Sequence, residues 1–155
     1  MPFPSSYGFN LRPGDILYCG KNKYTWGVGH VGIVGTDGLV RHVIPYGKQL
    51  NSIDVFFTNF ARVSVYRYKD EKVSFEAAEM SEELFKEIER YSLHPSLKNV
   101  RFTHCTKYIW QSFYYSQSKD VIWDRSEKDW LIILPWFFRY KTKGAFKKVL
   151  TFRLN

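Results

Sequence analysis

The order of apolar and polar positions predicts β-strands in the first half of the chain. Short apolar runs bounded by glycine and proline are typical of strands, and residues 60–68 alternate between apolar and polar side chains. Thr36-Asp37-Gly38 has the composition of a tight hairpin turn between two of these runs. The predicted strands are Asp15–Cys19, His30–Val34, Leu39–Ile44, Lys48–Asp54 and Phe60–Tyr68.

The second half begins with a helical pattern. Apolar residues recur at close to 3.6-residue spacing from Ser74 to Leu93, and Ser81, which two glutamates follow, indicates a helix start or restart. Thr103 is a candidate cap for a second helix that runs through Cys105. Residues from Asp120 onward show no pattern that assigns them. Strands followed by helices, with no linker between them, predict one α+β domain over residues 1–155.

Composition narrows the class of protein. The chain has 155 residues, of which 45% are hydrophobic and 19% aromatic, enough to build one core and too apolar for a disordered chain. Two cysteines without a CxxC pair do not form a disulfide framework. No apolar run is long enough to span a bilayer, and the N-terminus lacks the pattern of a signal peptide. We therefore expect a cytoplasmic location and reduced thiols.

The net charge of +8 indicates an acidic partner, such as nucleic acid, anionic lipid or a cell-wall polymer. The charge is concentrated near the C-terminus, where basic residues follow the aromatic segment 130–138 and no acidic residue interrupts them. Such a segment is typical of an anchor at an anionic surface, or of a core element followed by a solvated basic end. The basic residues are Arg139, Lys141, Lys143, Lys147, Lys148 and Arg153.

Three residues have the chemistry of a thiol enzyme. If residues 36–38 form the turn, His30 and His42 lie opposite each other at one end of a hairpin. Cys105 lies near a predicted helix start, where exposed amides lower a thiol pKa, and a nearby imidazole stabilises the thiolate. A buried inert cysteine and structural histidines remain alternatives. Metal binding by the two histidines and His104 has no supporting spacing motif.

The ordered segments PGDILYCG, GHVGIVGTDGLVRHVI, RVSVYRYK and FTHCTKYIWQSF resemble the circularly permuted branch of the NlpC-type papain-like hydrolases. The bacterial YiiX-like and YebB-like proteins show this layout, and the lecithin:retinol acyltransferase-like enzymes are similar. The resemblance covers about residues 11–115 and leaves 116–155 as an aromatic and basic extension. It implies a permuted papain-like fold, in which a small antiparallel sheet or partial barrel packs against helices.

The resemblance also implies roles. Cys105 matches the nucleophile, His30 the general base and His42 the third polar residue that orients His30. The oxyanion hole then includes the Cys105 amide, with Tyr18 as a candidate second donor. The implied activity is amide hydrolysis of a peptide or amidase type, which includes cell-wall peptides, through a thioester and without metal or cofactor.

Two alternatives stay open. A lipid acyltransferase or phospholipase of the lecithin:retinol acyltransferase-like type uses the same residues on a lipid acyl group. A non-catalytic module for an acidic polymer would use the basic and aromatic residues instead, although no recognition motif for a specific nucleic acid is present. The sequence does not define the oligomeric state.

Overall fold

A six-stranded antiparallel sheet forms the centre of the fold, with strand order β10-β7-β3-β4-β5-β6. The computed structural model describes residues 2–20, 22, 28–123, 125–129, 132–140, 142 and 144–154. The main-sheet strands are β3 (Ile16–Cys19), β4 (His30–Val34), β5 (Val40–Ile44), β6 (Gly47–Asn51), β7 (Arg62–Tyr68) and β10 (Phe146–Arg153). The short strands are β1 (Phe3–Pro4), β2 (Asn10–Leu11), β8 (Arg90–Tyr91) and β9 (Phe102–Thr103), and the helices are α1 (Ile53–Phe60), α2 (Glu71–Glu87), α3 (Cys105–Gln117) and α4 (Phe137–Tyr140).

The helices lie on two faces of this sheet, and the predicted α+β class with a sheet packed against helices is confirmed. On the first, which we call the α1 face, helix α1 packs in a core with alternate strand residues such as Leu17, Val34 and Val65. On the second, the α3 face, helices α2 and α3 pack with the intervening residues, such as Val31 and Ile33. Side chains alternate between faces along a strand, so neighbouring residues of β4 belong to different cores.

Helix α1 was not predicted, because its segment was assigned partly to a strand. Residues 53–60 are rich in phenylalanine, which favours strands, but their apolar positions recur at helical spacing. Ser52 caps the helix by accepting a hydrogen bond from the Val55 amide. The strand predicted to extend to Asp54 therefore ends at Asn51.

The two predicted long helices exist with different starts. Helix α2 begins at Glu71, where Asp70 accepts hydrogen bonds from two amides, and Ser81 lies buried in its middle. The Ser81 hydroxyl donates to the carbonyl of Ala78, so the predicted restart at this residue is wrong. Helix α3 begins at Cys105 with His104 at its N-cap position. Thr103 lies before the helix rather than at its cap.

The C-terminal segment adds an edge strand to the sheet. Strand β10 pairs antiparallel with β7 from Phe146 to Arg153, with an irregularity between Lys148 and Leu150. Phe146 packs in the core of the α3 face. The end of the extension is therefore part of the central sheet. Among the helices of the described residues, none combines the length and the apolar character that crossing a bilayer needs.

Candidate functional site

Two buried histidines meet at the start of β4. His30 Nε2 lies 2.8 Å from His42 Nδ1, and the second ring nitrogen of His42, Nε2, lies 2.5 Å from Asn51 Oδ1. His30 is 0% exposed and His42 2% exposed. Their rings pack against Phe56 and Phe60 of α1, so the pair lies on the α1 face. The predicted juxtaposition of His30 and His42 is confirmed, and Asn51 is a member that the sequence analysis missed.

The hydrogen bonds define which nitrogen of each ring carries a proton. The amide nitrogen of Asn51 donates to the Leu50 carbonyl, which leaves Oδ1 as the acceptor facing His42. His42 Nε2 then donates to Asn51, and its neutral Nδ1 accepts from His30 Nε2. In this tautomer, His30 Nδ1 carries the lone pair, and it is buried without a hydrogen-bond partner in the described part of the chain.

Burial keeps both imidazoles neutral. Desolvation, followed by the neighbouring His42, holds the pKa of His30 well below its usual value. Desolvation also lowers the pKa of His42 to about 4, against an opposing contribution from the hydrogen bond to Asn51. The free Nδ1 of His30 can accept a proton, but burial makes the imidazole a weaker base than a solvated histidine.

Cys105 approaches β4 from the other face of the sheet. It is the first residue of α3, is 3% exposed and belongs to the core of the α3 face. The backbone of Val31, the residue after His30, hydrogen-bonds its sulfur. The ladder between β4 and β5 covers only Ile33–Arg41 and Val34–Val40, so the two strands are no longer paired at His30. The Cys105 sulfur therefore contacts the backbone of β4 at Val31, next to His30, at the end of the strand that is no longer paired with β5.

The expected thiolate–imidazolium pair is not present in this closed site. Desolvation raises the pKa of the Cys105 thiol and outweighs the lowering contributions of the Thr106 hydroxyl and nearby backbone groups. No hydrogen bond joins the sulfur to an imidazole within the described residues, and His30 Nδ1 stays unpartnered. The prediction that the helix start lowers the pKa of Cys105 was wrong, because the rise in pKa caused by burial is larger than the decrease caused by the helix N-terminus.

Tyr18 and Cys19 lie on opposite sides of β3. Tyr18 is paired with Val31 across the ladder, on the face that carries Cys105, and its hydroxyl lies near Gly29. Cys19 is paired with His30 and belongs to the core of the α1 face, where burial raises its pKa well above the usual value. The placement of Tyr18 is compatible with its expected role near the sulfur, and Cys19 is a core residue.

A buried lysine anchors the start of α3. Lys107 is 0% exposed, and its ammonium donates to the carbonyls of His94, Ser96 and Phe102. These bonds tie the loop before α3 to the first turn that carries Cys105. Burial lowers the Lys107 pKa to about 8. The sequence offered no signal for this role, because a lysine in a helix usually points to solvent.

His104 is also buried. Its Nε2 has no hydrogen-bond partner among the described residues, and burial lowers its pKa to about 3. It does not join His30 and His42 in a metal site: within the described ranges, no three His, Cys, Asp or Glu side chains converge.

Comparison with known proteins identifies the fold. No family model matches the sequence, and no curated protein matches it. The structure is similar to the crystal structure of metalloprotein YiiX from Escherichia coli O157:H7, with a TM-score of 0.66 and 7% sequence identity. The match covers 93% of this chain and 98% of that one. The chain therefore has a YiiX-like α+β fold, and identity at this level shows the fold alone.

Proposed function

We propose that this protein is a cysteine hydrolase that cleaves an amide bond through a thioester on Cys105. The observation that carries the proposal is the hydrogen-bonded series Asn51–His42–His30, which leaves the lone pair on His30 Nδ1. His42 then acts as a positioning residue for His30. The proposal includes a permuted papain-like relationship for the fold and a cytoplasmic location.

In the proposed reaction, the Cys105 thiol and the His30 imidazole are both neutral at the start. His30 Nδ1 takes the thiol proton as the Cys105 sulfur attacks the carbonyl carbon, and the carbonyl oxygen becomes an oxyanion. The Cys105 amide and the Tyr18 hydroxyl are the proposed oxyanion donors. His30 returns the proton to the leaving amine as the C–N bond breaks and the thioester remains. Water, deprotonated by His30, then releases the acid and regenerates the thiol.

This chemistry requires the site to open. Cys105 and His30 are both closed to solvent, and Pro135 lies close to Gly29, just before His30. A displacement of the segment around Pro135 would admit substrate. The sulfur and His30 Nδ1 lie on opposite faces of the sheet, so proton transfer also requires the imidazole to turn toward the gap where β4 and β5 are unpaired. The exposed side chains beside it, Ile132 and Trp136, are 43% and 37% exposed.

Those exposed apolar side chains favour a lipid acyl group as the second candidate substrate. Large apolar residues at an opening are typical of proteins that act at a lipid surface. The same residues would then transfer or hydrolyse a fatty acyl group through the same thioester. Turnover of a phospholipid ester, with no cleavage of peptide amides, would support this second candidate.

Labelling by iodoacetamide tests the proposed nucleophile. We expect Cys105 to be alkylated faster than Cys19, with the rate depending on His30. The variants Cys105→Ser, Cys19→Ser and His30→Phe, followed by mass spectrometry of the labelled peptides, separate these contributions. Equal labelling of the two cysteines, or a rate unchanged in His30→Phe, would count against the hydrolase. An unreactive Cys105 together with salt-sensitive binding of DNA or RNA would favour the acidic-polymer module.

The YiiX neighbour is called a metalloprotein, which makes a metal test informative. Our proposal routes no step through a metal, and we expect the labelling rate of Cys105 to be unchanged after dialysis against EDTA. A rate restored by added Zn²⁺ after EDTA treatment would overturn this expectation.

A further inference from the structure

A row of paired residues runs across the sheet, away from the Cys105 site. Val31, whose backbone bonds the sulfur, is paired with Tyr18, Tyr18 with Ser64, and Ser64 with Thr151. Paired residues of antiparallel strands point to the same face, so the row lies on the α3 face. Because neighbouring strands are about 4.8 Å apart, Ser64 lies about 10 Å from Val31.

This row crosses a cavity of about 90 Å³. Its lining contains hydroxyl groups and two cations, and none of its members is acidic. Tyr18 both lines the cavity and is paired with Val31, which makes the cavity a neighbour of the candidate nucleophile. The lining residues are Tyr18, Gly20, Arg62, Ser64, Tyr66, Lys148 and Thr151.

A third cation lies on β10, the edge strand next to β7. Arg153 is paired directly with Arg62 across the β7–β10 ladder. Like charges directly opposite each other destabilise a sheet, unless something neutralises them. In the described part of the chain, Arg62, Lys148 and Arg153 form no ion pair with an acidic side chain. An anion bound between them would offset the repulsion.

We propose that Arg62 and Lys148, supported by Arg153, bind an anionic group of the substrate in the cavity beside Ser64, whose backbone lies about 10 Å from that of Val31. The inference rests on the proposed function and deepens it, because it names the substrate class: an acyl compound with a carboxylate or phosphate at that distance. Guanidinium and ammonium groups donate to both anions. The hydroxyls of Ser64 and Thr151 hydrogen-bond each other at 2.9 Å, so the pair adds one further donor.

This site can be tested on the whole protein with maleimides that carry a carboxylate at a defined distance from the reactive carbons. 6-Maleimidohexanoic acid carries a carboxylate roughly 10 Å from its reactive carbons, and its neutral amide is the matched control. We expect the acid to label Cys105 about fivefold faster than the amide, and maleimidoacetic acid, whose carboxylate is too close, to show no advantage. The advantage should fall as salt is raised.

Substitutions show whether the preference for the acid depends on Arg62 and Lys148 or on the net positive charge of the whole protein. Arg62→Gln and Lys148→Gln should abolish the preference for the acid, whereas Lys147→Gln should retain it, since Lys147 points to the other face of the same strand. A phosphonate analogue that labels faster than the carboxylate indicates a phosphoester substrate, and the reverse order indicates an acidic peptide.

The outcomes distinguish the two proposals. Labelling of Cys105 by acid and amide at equal rates overturns the anion site and leaves the hydrolase standing. A preference that survives in Arg62→Gln and Lys148→Gln also overturns it. A Cys105 that reacts with none of the probes, while the unfolded protein does react, overturns the proposed function and the anion site together.

Discussion

His30 Nε2 lies 2.8 Å from His42 Nδ1, and both rings are buried against the aromatic side chains of α1. This bond gives His30 a defined tautomer, with its free nitrogen on the Nδ1 side. The histidine pair lies on one face of the sheet and Cys105 on the other, and the sulfur approaches the backbone of Val31, next to His30, where β4 is no longer paired with β5.

Removing the acceptor at the end of the series should weaken the base. In Asn51→Ala, His42 loses the group that keeps its proton on Nε2, so His30 is no longer held in one tautomer. We expect the labelling rate of Cys105 to fall by about tenfold, in the range seen when supporting residues of histidine ligands are removed. Gln49→Ala is the matched control, because Gln49 is paired with His42 without bonding its ring in the described structure. An equal effect of both variants would contradict the role of Asn51.

The protein should lose stability as the solution becomes acidic. The pKa of His42 is about 4 in the folded chain and 6.5 in its ordinary state, so the unfolded chain binds the proton first. The contribution of neutral His42 to the free energy of unfolding is complete above pH 6.5. It decreases by about 3 kcal/mol as the pH falls to 4 and below. His30 and His104 change stability in the same direction.

Urea unfolding at several pH values measures this loss. The variant His42→Gln should show a smaller decrease of the unfolding free energy between pH 6.5 and 4 than the unsubstituted protein. A decrease of the same size in the variant would show that other groups cause it.

Gly29 positions the residue that follows it. Its φ is +88°, and an added Cβ would stand 3.0 Å from the Cys19 carbonyl oxygen and 3.5 Å from Pro135. Gly29→Ala should therefore reduce the free energy of unfolding by about 1–2 kcal/mol or more and slow labelling of Cys105. Gly20→Ala is the control, because a Cβ there would have no neighbour within 4 Å. Thermal melts of both variants check the difference, and equal melting temperatures would contradict the prediction.

The buried carboxylate of Asp15 should be essential for folding stability. Asp15 is 0% exposed and accepts two hydrogen bonds from the Arg67 guanidinium, at 2.8 Å each, and a third from the Arg12 amide. Asp15→Ala leaves a cation unpaired in a partly buried place and should cost about 3 kcal/mol. Arg67→Lys keeps the charge but loses the bidentate contact, so an intermediate loss is expected. A urea midpoint unchanged in Asp15→Ala would disprove this.

Local patterns predicted the elements that carry the candidate residues. The strands at Ile16–Cys19 and His30–Val34 and the helix through Cys105 match their predicted places within a residue or two. The proximity of His30 and His42 was also predictable, because the hairpin turn brings their two strands together. The register itself places Gly32 opposite His42, and the two histidines contact each other diagonally.

Residues whose role depends on a distant partner were not predictable. Asn51 reaches His42 only because β6 pairs with β5 in one register, and nothing in its neighbours signals this. Lys107 looks like a surface lysine until the loop before α3 folds over it. Strand β10 was missed because its partner, β7, lies about eighty residues earlier in the chain.

The sequence by itself determined the α+β pattern, the hairpin that pairs two histidines and a cysteine at the head of a helix, since these follow from the order of nearby side chains. Tertiary structure alone decided that the sulfur and the imidazoles are uncharged, that Asn51 completes the series with His42 and His30, and that three cations of β7 and β10 lie on the same face of the sheet as the sulfur. Charge and proximity depend on burial and on strand register, and both arise only when segments far apart in the chain come together.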